Sequence, residues 1–167
     1  MIGPDDLKFV VEEEQGSFGQ FAFEPLSRGY GQTLGNALRR VLLSSLPGAA
    51  ITEARFAGIS HQFSTIKGVK EDIVQITLNL KKVRLKIEGE EPVALRLLVK
   101  GKKEVRAGDF EVPAGAEVIN KNLVLATLTT SKAKLEADLL AEPGVGFVPS
   151  EGRGSSKLGV IALDAIF

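Results

Sequence analysis

His61 is the only histidine in the chain, and there is no cysteine. A histidine metal site needs several imidazoles, and thiolate sites, disulfides and cysteine nucleophiles need sulfur. His61 could act as a general base, but no nucleophile stands at motif spacing from it, and a lone histidine is more often structural. Glu71 and Asp72 form an acidic pair in what reads as the first turn of a helix, where acids suit the helix dipole. No carboxylate trio has metal-ligand spacing. The residue types therefore point to no catalytic centre, no metal and no cofactor.

Two glycine-rich stretches deserve the phosphate test. Gly29-Tyr30-Gly31-Gln32-Thr33-Leu34-Gly35 precedes a helix, as a phosphate loop would. A dinucleotide fingerprint places its third glycine three residues after the second, and here the gap is four. A phosphate-cradling loop would end in Gly-Lys-Ser/Thr, which is missing. The plainer reading is a tight turn into the helix; the alternative is an anion- or nucleotide-binding domain using Gly29–Gly35. The stretch from Gly152 to Lys157 could also hold an anion, but it reads more readily as a surface loop.

Arg39 and Arg40 remain, and the element that carries them is the clearest in the chain. Thr33 is expected as its N-cap. Leu34, Ala37, Leu38, Val41, Leu42 and Ser45 recur at helical spacing on one face, and Pro47-Gly48 should stop the helix. Arg39, Leu43 and Leu46 lie on a neighbouring face. A helix apolar over more than one stripe must be covered on two sides. It is either a buried core helix or one that packs internally on one side and meets a partner on the other. Two adjacent arginines are seldom both buried without specific partners, which favours the partner reading.

The elements around it follow from periodicity. Phe9–Val11 and Phe21–Phe23 read as strands around a turn at residues 15–17. Ile51–Phe56 reads as a strand, and Val69, Ile73, Ile76 and Leu80 as a second helix after Gly68. Beyond Leu80 the period changes to two. Val83–Ile87 and Val93–Leu97 read as a hairpin around Gly89–Pro92. Leu123–Leu128 and Ala133–Leu139 are further strands. Glycine-rich loops at Gly144–Pro149 and Gly152–Ser156 precede a last strand, Val160–Phe167. The class is α+β with mostly antiparallel sheets and two main helices.

Composition agrees with a folded protein: 44% apolar and 25% charged over 167 residues. Charge is balanced at 21 basic and 21 acidic residues. A surface that grips nucleic acid usually carries a basic excess, so nucleic-acid binding is not expected as the main activity, though a local patch stays open. The amino-terminal residues do not read as a signal peptide, and no apolar run is long enough to span a bilayer. A cytoplasmic interaction protein is the default expectation.

Residues 24–48, EPLSRGYGQTLGNALRRVLLSSLPG, resemble the signature of bacterial RNA polymerase alpha subunits. Residues 61–72, HQFSTIKGVKED, are similar to that family's next signature. Gly146-Phe147-Val148-Pro149 and Leu163–Phe167 are weaker echoes in the right order. The resemblance implies an assembly scaffold: an alpha homodimer on which the catalytic beta and beta-prime subunits assemble. It assigns residues 1–47 to the first part of a dimerisation lobe and 48–167 to an inserted α+β lobe. Beta contact falls on Arg40, with Arg39, Asn36 and Thr33 beside it. The dimer interface falls on Leu34, Leu38, Val41, Leu42 and Leu46, and beta-prime contact on Leu163 and Asp164. No membrane contact and no direct nucleic-acid contact are implied for this region.

Two departures stand out. The family usually carries an arginine-containing RGRGY stretch where this chain reads Glu142-Pro143-Gly144-Val145-Gly146-Phe147. The family also continues beyond the position of Phe167, with a strand and a long helix that complete the dimerisation lobe, so the sequence reads as a fragment of a longer chain.

Overall fold

The computed structural model describes residues 7–16, 18–152 and 159–167. The chain forms two compact units, Met1–Leu43 and Ser44–Phe167.

The first unit opens with strands β1 (Lys8–Gln15) and β2 (Phe18–Glu24), paired antiparallel with a bulge between Val11 and Glu13. Phe9 pairs with Phe23 across the ladder and stacks on Phe21 at 5.2 Å between ring centroids. Helix α1 (Tyr30–Ser44) follows. It starts earlier than the capping pattern suggested. Tyr30 N–H donates to Ser27 O at 3.1 Å, so the turn at Ser27–Tyr30 winds directly into the helix. Thr33 is therefore an interior residue and cannot cap. Gly29 precedes the helix at φ +85°, a left-handed conformation that favours glycine. The helix ends at Ser44, so Ser45 and Leu46 lie beyond it, and Pro47 opens the next strand.

The second unit contains β3 (Pro47–Phe56), α2 (Ile73–Leu80), β4 (Leu85–Ile87), β5 (Val93–Lys100), β6 (Glu104–Arg106) and β7 (Phe110–Glu111). It continues with β8 (Ala116–Val118), β9 (Val124–Thr127), β10 (Lys134–Val145), β11 (Phe147–Val148), β12 (Val160–Ala162) and β13 (Ala165–Ile166). Its main sheet has the order β12-β3-β10-β5-β7, with every adjacent pair antiparallel. Period-two alternation places Leu135, Ala137, Leu139 and Ala141 of β10 in the core, beside Leu95, Leu97 and Val99 of β5 and Ala54 and Phe56 of β3. The opposite face is polar, with Arg55, Asp138, Arg96 and Glu111 in one cross-strand row. Ile73, Ile76 and Leu80 of α2 belong to the same core as the buried face of the sheet. The fold is α+β, with mostly antiparallel sheets and two α-helices among the described residues, as the periodicity indicated.

Several local expectations are overturned. β4 pairs with β8, and β5 with β10 and β7, so the hairpin around Gly89–Pro92 does not form. Alternation specified which side chains turn inward, while the neighbour was chosen by burial against other parts of the chain. Gly144 and Val145 extend β10 instead of forming a loop, paired with Gly48 and Pro47 of β3, and the Phe167 ring packs so closely on Gly144 that a Cβ there would meet it at 2.6 Å. The last strand is split into β12 and β13. Val69 is not helical but bridges Leu128. Arg153–Lys157, from the second glycine-rich stretch, lie outside the described residues.

Candidate interaction surfaces

Helix α1 has no buried residue in this chain. Its apolar stripes therefore stay largely exposed. Successive helical residues turn by about 100°, which sorts the side chains into two opposed faces. Tyr30, Leu34, Ala37, Leu38, Val41 and Leu42 share an arc of about 140°, by the same helical step. Arg39, Leu43, Asn36, Arg40 and Thr33 share an arc of about 120° on the other side. Of the expected dimer set, Leu34 and Leu38 are half-buried, while Val41 and Leu42 are exposed at 51% and 61%. Leu46, just past the helix, is exposed as well. Leu43 is 68% exposed and sits in the middle of the arginine face. All four expected beta-contact residues thus share one face of the helix, and the helical part of the expected dimer set shares the other. Tyr30 was missed by sequence reasoning, which placed it in a loop; its spacing four residues before Leu34 was the available signal.

The helix also removes the geometry of a glycine phosphate loop. Gly31 and Gly35 are helical residues whose backbone groups belong to α1, and only Gly29 lies ahead of it. His61 Nδ1 lies 3.1 Å from Ser64 Oγ, on an open loop. This is a local turn contact, and no further group orients the imidazole among the described residues. Phe63 beside it is exposed. Among the described residues no group of three or more His, Cys, Asp or Glu is placed to hold a metal ion.

The second expected contact, Leu163 and Asp164, divides in two. β10 and β3 slip register between Leu140 and Ala141, opposite the buried Thr52. On the other edge of β3, Thr52 O accepts Leu163 N–H at 2.8 Å, one step beyond the β12–β3 pairs. That bond seats Leu163 in the core at 2% exposure, so its side chain is not offered to a partner. Asp164 turns the other way. Its Oδ2 accepts from Lys81 Nζ at 2.7 Å, and its Oδ1 accepts from Ser150 N at 2.8 Å and Ser150 Oγ at 2.7 Å. The Lys81 ammonium, followed by the two Ser150 donors, holds this carboxyl well below the usual carboxylate range. Lys81 is the C-cap of α2, where a cation also suits the helix dipole. Asp164 is thus a pin joining the end of α2, the turn at Ser150 and the link between β12 and β13. Neither Lys81 nor Ser150 was legible as its partner, because they lie 83 and 14 residues away.

The acidic pair before α2 is likewise divided. Asp72 is the N-cap, accepting from Gln75 N at 2.7 Å. Glu71 faces away from the helix and accepts from Thr127 N and Oγ1 at 2.6 and 3.0 Å, tying the loop to β9.

Known proteins resolve the kinship. The chain is 46% identical over 160 residues to the DNA-directed RNA polymerase subunit alpha of Roseiflexus sp. (strain RS-1), covering 96% of this chain and 50% of that protein. It is 48% identical over 162 residues to the same subunit of Rubrobacter xylanophilus, covering 96% and 51%. It is 50% identical over 163 residues to that of Oceanobacillus iheyensis, covering 96% and 52%. The chain therefore spans about half the length of the curated relatives it matches. Residues 52–167, which hold nearly all of the sheet and the Asp164 pin, match the family described as the RNA polymerase Rpb3/RpoA insert domain, and the chain belongs to that family.

Proposed function

We propose that this chain is part of an assembly subunit of a bacterial RNA polymerase and works by binding proteins. Two copies would pair through the apolar face of α1 and Leu46. The opposite face, with Thr33, Asn36, Arg39 and Arg40, would meet the beta subunit. The surface around Asp164 would meet beta-prime, with the buried Leu163 acting only by seating it. Residues 1–47 would then be the first part of a dimerisation lobe and 48–167 the inserted lobe.

One observation carries the reading: a 15-residue helix with leucines on two faces and no buried residue. An exposed apolar stripe of this kind marks an interface. A two-fold partner offers the same stripe back, which is what a symmetric dimer requires. Arginine is enriched among the residues that dominate interface energies, which supports the role given to Arg40.

The test is co-expression of the full-length subunit with beta and beta-prime. Arg40→Ala should lower recovery of beta with alpha about tenfold or more, since truncating an interface hot spot costs about 2 kcal/mol. The alpha dimer should persist. Unchanged recovery of beta would overturn the role of Arg40. An alpha subunit that binds neither large subunit would overturn the scaffold reading altogether.

A further inference from the structure

We draw no further inference here: the strongest candidate, the apolar surface patch that the cross-strand partners Phe147 and Ile166 expose on the β11–β13 pair of the second unit, is an unpartnered face, and nothing in the structure shows what covers it.

Discussion

Replacing Asp164 with asparagine tests the pin that seats the end of the second unit. The substitution keeps an oxygen for Ser150 but turns a donor toward the Lys81 ammonium. The lost contact is one charge-assisted hydrogen bond of 2.7 Å between side chains that are 27% and 34% exposed. A fully buried bond of this kind contributes about 1.5–3 kcal/mol. Water reaches a third of Asp164, so screening lowers the expected loss to about 1–2 kcal/mol. For a chain of this size that is about 2–8 °C in Tm. Asp164→Ala also frees the two Ser150 donors and should cost about 3–4 kcal/mol in all, at about 1 kcal/mol for each of these part-exposed bonds. A double-mutant cycle with Lys81→Met isolates the pair and should return a coupling of about 1–2 kcal/mol. The pH dependence follows from the direction of the shift. A carboxyl whose folded pKa is depressed stabilises fully above its unfolded pKa of about 3.9. The contribution is lost as pH falls below that value toward the lower folded pKa. Urea melts at pH 7 and pH 3 should therefore differ less for Asp164→Asn than for wild type. A cycle coupling near zero, or an equal pH response in both proteins, would refute the assignment.

Three further outcomes follow from single contacts. Gly68→Ala should destabilise by about 2 kcal/mol or more, because φ is +83° and the new Cβ would meet Thr130 Oγ1 at 2.8 Å and Ala133 Cβ at 2.9 Å; denaturant midpoints would register it. Asp72→Ala should cost about 1 kcal/mol by removing the α2 cap, with Asp72→Ser recovering most of it. Leu42→Asp should leave the melting of the 167-residue chain unchanged, since that side chain is exposed, while abolishing self-association of the full-length subunit in sedimentation.

The sequence by itself determined the fold class, the existence and type of most elements, and the core-facing residues of β5 and β10. Periodicity is a local property, set by how each backbone conformation alternates its side chains, and it survives without knowledge of neighbours. The same property made α1 legible as a helix with more apolar surface than one side can use, and the signature in residues 24–48 named its kin. What tertiary structure alone decided was pairing. β4 chose β8 and β5 chose β10 because strands of identical alternation are interchangeable until burial selects among them. Leu163 and Asp164 are adjacent and equally plausible as contacts, yet the carbonyl of Thr52 sends one into the core and leaves the other with Lys81 and Ser150. Glu71 and Asp72 part in the same way, one tied to β9 and one to its own helix.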